Sequence, residues 1–207
     1  MAFITLGNLT LCYDIRGQGP RVVFIPGTAS DLRQHLTIFA SPLVAHFEVL
    51  SFDPRGIVQS NSPDPEPTMV DYASDVKKLL DTLGWHKCSC IGESFGGMVA
   101  QEFALQYPDY IEKLVLMVTS SGGEGGSSFP FHDYDIANMS LEERADFWVQ
   151  CCDSRASQPS WKETHPDAYQ QQYHTYVLEH MFFHSPLLAI CGSEAEKHEI
   201  TFAQIHI

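Results

Sequence analysis

Between Cys88 and Ala104 the chain reads CSCIGESFGGMVAQEFA. An apolar run of strand character meets Ser94, and a run of helical character leaves it. Gly92 and Gly96 stand two places to either side of the serine. A tight strand-to-helix turn pushes one side chain out above the carboxyl edge of a sheet. Small residues flank that side chain because the turn crowds neighbouring backbones. Ser94 is thereby presented at a helix N-terminus, where free amides and the helix dipole favour a developing oxyanion. The bare pattern also fits a serine that merely caps a helix. The strand before it and the helix after it favour a nucleophile.

The rest of the first half alternates in the same way. Phe3 to Leu6 reads as a strand, Gly7-Asn8 as a turn, and Leu9 to Ile15 as a period-two strand. RVVFIPG, from Arg21, is a nearly continuous apolar run, as a strand buried on both faces requires. A helix is expected from about Leu32 to Ala45, and a strand over FEVLSFD, Phe47 to Asp53. Thr68 and Asp71 have capping-box spacing before a helix that carries Val76, Leu79, Leu80 and Leu83 on one stripe. Gly84 ends it. A helix over Phe95 to Tyr107 and a strand over Lys113 to Val118 follow. Strands alternating with helices predict an α/β fold, a mostly parallel sheet with helices on both faces.

The texture changes at Ser120. SSGGEGGSS is a loop, Ser140 and Glu143 form a second capping box, and the segment from Trp161 to about Phe183 is helical in pattern. Ser185 to Gly192 returns to strand character. The expected organisation is a core over residues 1–119, a helical cap over 120–184, and a partial return to the core over 185–207. Aromatic residues of the cap, among them Tyr134, Trp161, Tyr169 and Tyr173, either line an apolar pocket or pack the small subdomain.

Charge excludes some partners. The 26 acidic against 12 basic residues leave a formal charge of −14, which argues against nucleic acid and against an anionic membrane surface. No apolar run reaches spanning length, and the N-terminus lacks the basic region of a signal peptide. The six cysteines form no CxxC pair. They read as buried free thiols in a reducing compartment, so a cytoplasmic location is expected. His180 and His184 have a spacing that can hold a metal, but no third ligand accompanies them, so they read as cap-face or surface histidines.

Several motifs in order resemble the α/β-hydrolase superfamily, in particular small esterase, lactonase and aminopeptidase-like members with a helical cap. These are GQGPRVVFIPG, FDPRGIVQS with Asp53, Arg55, Gly56 and Ser60, DYASDVKKLLDTLG, GESFGG and ALQYPDYIEKLVLMVT. The resemblance implies hydrolysis of a small ester, lactone or related acyl substrate, with no organic cofactor and no metal. Ser94 would be the nucleophile, and the backbone amides of Thr28 and Phe95 the oxyanion hole. Val58 replaces the second glycine of the arginine motif, so that loop is expected to be less tight.

The triad is incomplete by the same standard. PLLAICGSEAE resembles the family's seventh-strand motif, with Ala195 at the acid position and Glu194 and Glu196 beside it. Glu194 is the acid candidate. His198 and His206 are the only histidines that follow, and His206 is the base candidate. The family's last strand and closing helix have no counterpart before Ile207. Two expectations stand: a truncated form of an ordinary hydrolase, or a divergent member. Either could be catalytically impaired and bind a small molecule or a protein partner instead.

Overall fold

A computed structural model describes residues 1–28, 30–34, 37–64, 66–122, 134, 135, 138–152, 154–171 and 173. These fall into two compact units, which divide between Gly122 and Tyr134. The first unit holds six strands, β1 (Ala2–Leu6), β2 (Leu9–Arg16), β3 (Arg21–Ile25), β4 (Glu48–Phe52), β5 (Cys88–Glu93) and β6 (Ile111–Met117). Its helices are α1 (Met69–Thr82) and α2 (Phe95–Gln106). The sheet order is β1-β2-β4-β3-β5-β6. β1 and β2 pair antiparallel, as do β2 and β4. β4, β3, β5 and β6 run parallel, so their carboxyl ends share one edge.

Alternation along β3 divides the core. Val23 and Ile25 face a cluster with Tyr72, Val76, Leu79 and Leu80 of α1 and with Val99 and Phe103 of α2. Val22 and Phe24 face the opposite side, with Leu32, Phe39 and Val49. Leu79, Leu80 and Phe103 are fully buried, and each such side chain contributes about 1.5–3 kcal/mol. Thr68 opens α1 as expected: its hydroxyl accepts the Asp71 N–H at 3.3 Å, and Asp71 accepts the Thr68 N–H at 2.9 Å. Gly84, at φ 69°, stops it.

The helix expected from Leu32 to Ala45 is not formed as such. Two short 3₁₀ turns, Ile38–Ala40 and Pro42–Ala45, stand in its second half. Thr37 and Ser41 are extended, at ψ 173° and 157°. Pro42 has no N–H to give and disfavours a helical conformation at Ser41, so the apolar periodicity there is read across a break.

The second unit contains α3 (Leu141–Cys152), a 3₁₀ turn over Ser154–Ser157, α4 (Pro159–Thr164) and helical residues 166–171. Its capping box forms, with Ser140 N–H to Glu143 at 2.7 Å and Glu143 N–H to Ser140 Oγ at 3.2 Å. Val149, Trp161 and Tyr169 make a small core. Trp161 and Tyr169 therefore pack the unit, the second of the two roles open to its aromatic residues. Among the described residues, no helix is long and apolar enough to cross a membrane. The expected strand from Ser185 lies outside the described residues.

Cys12, Cys88 and Cys90 are free and buried, and Cys151 is free and half-buried. Burial pushes the Cys12 and Cys88 thiols up to about 11 and raises Cys90 as well. At neutral pH these three are inert packing residues rather than nucleophiles.

Candidate active site

Ser94 follows the last residue of β5 and precedes the first of α2, at φ 51° and ψ −120°. A side chain rarely tolerates that conformation, and its cost is about 1–3 kcal/mol. It persists because the chain around it leaves no alternative. The Ser94 N–H donates to the Met117 carbonyl at 2.9 Å, and its own carbonyl accepts the Gly97 N–H at 2.9 Å. The serine side chain is exposed at the carboxyl edge of the sheet.

The flanking glycines are required by contact. A Cβ on Gly96 would lie 2.1 Å from the Ile25 carbonyl oxygen, and one on Gly92 2.6 Å from the Gly96 oxygen. Neither distance is possible between non-bonded atoms. α2 therefore starts with its backbone against the end of β3. Gly27, in the loop leaving β3, stands next to the serine: a Cβ built on it would be 3.9 Å from Ser94 Oγ. Thr28 follows and is half-buried. Phe95 is the first residue of α2, and a first-turn amide has no partner within its own helix. Ser94, Phe95 and the loop carrying Thr28 are thus gathered at one point of the sheet edge. Glu194 and His206 lie outside the described residues, as do Glu196, His198, His180 and His184. Among the described residues, no histidine or carboxylate bonds Ser94 Oγ.

The loop after β4 is built on the residues of the arginine motif. Asp53 accepts the Leu32 N–H and the Gln59 amide, each at 3.0 Å. Burial raises its carboxyl above the ordinary range, and those two bonds oppose the rise. Ser60 Oγ donates to the Asp53 carbonyl at 2.6 Å and accepts the Cys12 N–H at 3.0 Å. Arg55 grips Asp75 of α1 through two bonds, at 2.6 and 2.8 Å. The loop is not loosened by Val58. Instead, Val58 is held at φ 46°, in the left-handed region, while Ile57 N–H to Pro54 and Ser60 N–H to Ile57 close the turn at 3.0 Å each. A β-branched residue there costs about 1–2 kcal/mol. Val58→Gly is accordingly expected to stabilise the chain by about 1 kcal/mol, a rise of about 2–4 °C in melting temperature. A lower melting temperature would count against that strain.

Of three further contacts at the site, the first is local and the other two, which reach across the fold, carry no local sequence signal. Asp31 is buried and held by the Arg33 guanidinium at 2.7 Å, and beside it a small cavity opens between Pro26, Ser30, Asp53 and Glu93. Asp75 is the partner of Arg55. Thr119, beyond β6, donates its hydroxyl to the Ser94 carbonyl at 2.6 Å.

Residues 20–172 match the family model described as alpha/beta hydrolase fold. An uncharacterized protein of Mycobacterium tuberculosis is 30% identical over 123 residues, 59% of this chain and 35% of that protein. The chain thus spans about a third of that relative's length. A solved hydrolase from Pseudomonas aeruginosa PA01 superposes with a TM-score of 0.66 at 24% identity, over 94% of this chain and 71% of that one. The enol-lactonase of Burkholderia xenovorans LB400 does so at 0.63 and 22%, over 92% and 71%. Those two likenesses are of fold. With the strained serine between β5 and α2 and the parallel order of β4, β3, β5 and β6, the chain belongs to the alpha/beta hydrolase fold family.

Proposed function

We propose that the chain is a serine hydrolase acting on a small carboxylic ester, lactone or related acyl substrate, with Ser94 as its nucleophile. The observation that carries this reading is the backbone of Ser94, at φ 51° and ψ −120° and exposed above the sheet edge. Strain of that kind is kept where a side chain must be presented to a reacting group. Ser94 Oγ attacks the acyl carbon, and the carbonyl oxygen becomes an anion. The amides of Phe95 and Thr28 receive it. The bond to the leaving oxygen then breaks as that oxygen takes up the proton the serine gave to the base, and water releases the acyl group as a carboxylic acid while one of its protons returns to the serine through the same base. A hydroxyl needs a base to take its proton and a carboxylate to orient that base. His206 and Glu194 are the candidates for those parts.

The test is turnover of a short-chain aryl ester. Ser94→Ala is expected to lower kcat at least about 1,000-fold. Equal turnover in the two proteins would contradict the reading. A folded chain that neither turns over ester nor binds a serine-directed inhibitor would instead support a non-catalytic binding role.

A further inference from the structure

The elbow is fastened from β6 as well as from α2. The Ser94 carbonyl accepts three donors: Gly97 N–H at 2.9 Å, Met98 N–H at 3.3 Å and Thr119 Oγ1 at 2.6 Å. The two amides are what a first helical turn gives the residue that precedes it. The hydroxyl is different, because it arrives from 25 residues along the chain. It fits there because Gly97 lacks a side chain: a Cβ on Gly97 would lie 2.5 Å from Thr119 Cβ and Oγ1. Gln101 holds the next residue in place, donating to the Ser120 carbonyl at 2.9 Å and to the Gly97 carbonyl at 3.1 Å.

The Ser94–Phe95 peptide is trans. In a trans peptide the carbonyl and the following N–H share one plane and point in opposite directions. Whatever fixes the Ser94 carbonyl therefore fixes the direction of the Phe95 N–H. We propose that Thr119 is a positioning residue, whose hydroxyl sets the plane of the Ser94–Phe95 peptide and so aims the Phe95 amide at the oxyanion. This rests on the reading of Ser94 as nucleophile and Phe95 as oxyanion donor. An oxyanion donor works because it is already oriented when charge develops, so an amide free to rock by a few degrees stabilises less.

Two substitutions isolate the hydroxyl. Thr119→Val keeps the shape and removes the donor. Thr119→Ser keeps the donor and removes a methyl group. In the nitrogen-15-labelled chain, Thr119→Val is expected to quicken hydrogen exchange at the Gly97 and Met98 amides about fivefold, while Thr119→Ser stays within about twofold of the parent. That measurement needs no turnover, and unchanged exchange in Thr119→Val overturns the proposal. On an aryl ester, Thr119→Val is expected to lower kcat about tenfold at unchanged KM, and Thr119→Ser to restore it. A loss confined to KM, or one shared equally by Thr119→Ser, also overturns it. Ser94→Ala separates the two levels. Turnover that survives in Ser94→Ala removes the serine reading; turnover lost in Ser94→Ala but untouched in Thr119→Val removes the proposal alone.

Discussion

Asp75→Ala is expected to destabilise the chain by about 3–5 kcal/mol, a large share of what holds a domain of this size together. Arg55 and Asp75 are only 7% and 3% exposed. Their two bonds, at 2.6 and 2.8 Å, join the planar guanidinium to both carboxylate oxygens. Removing the carboxylate leaves a buried cation with nothing to balance it. The Tyr72 ring, 5.9 Å from the guanidinium carbon, returns little of the loss. The double change Arg55→Met with Asp75→Leu should cost less than Asp75→Ala alone, because it leaves no charge behind. Lys77 and Asp81, also ion-paired but each about a third exposed, supply the contrast: solvent screens the pair, and although Asp81 also accepts the Tyr110 hydroxyl, its removal leaves no buried charge and should cost far less. Urea denaturation midpoints rank the three. If Asp75→Ala were no worse than Asp81→Ala, the Arg55 pair would not clamp the loop after β4 to α1.

Gly96→Ala should be comparably damaging, for a steric reason. The new Cβ would stand 2.1 Å from the Ile25 oxygen and 2.4 Å from the Pro26 oxygen. Both obstacles are backbone, so no rotamer relieves them. Alanine gains about 1 kcal/mol of helix propensity over glycine, which is far smaller than the overlap. Either α2 lifts from the sheet or the loop after β3 moves away, and both separate Ser94 from Thr28. A loss of about 3 kcal/mol or more in stability is expected, together with loss of ester turnover. A variant with the parent's denaturation midpoint and turnover would show that the close approach is not needed.

What could be read in the sequence was local. The serine elbow announces itself because both glycines, the strand and the helix lie within one short segment, although Gly96 answers to the distant Ile25 and Pro26 carbonyls. The first glycine of the pair is excluded from having a side chain by Ala100 and Gly96, eight and four residues on. Both capping boxes were legible for the same reason. The segment from Leu32 to Ala45 misleads because its apolar residues are spaced as on a helix while Pro42 forbids one across Ser41. Long-range pairings leave no local trace. The D-x-R segment suggests that Arg55 matters, but nothing near it says that Asp75 holds it. Thr119 reads as no more than the residue after a strand until β6 is laid beside β5 and its hydroxyl meets the Ser94 carbonyl. Val58 shows the opposite error: a missing glycine suggested a looser turn, whereas hydrogen bonds keep the turn closed and the valine carries the strain.

The most direct measurement is the site and stoichiometry of a fluorophosphonate adduct on the folded chain, mapped by peptide mass spectrometry. One adduct per chain is expected, on Ser94, and none on the Ser94→Ala variant. A folded chain whose Ser94 stays unmodified, or one labelled at the same rate with and without that hydroxyl, would contradict its assignment as the nucleophile.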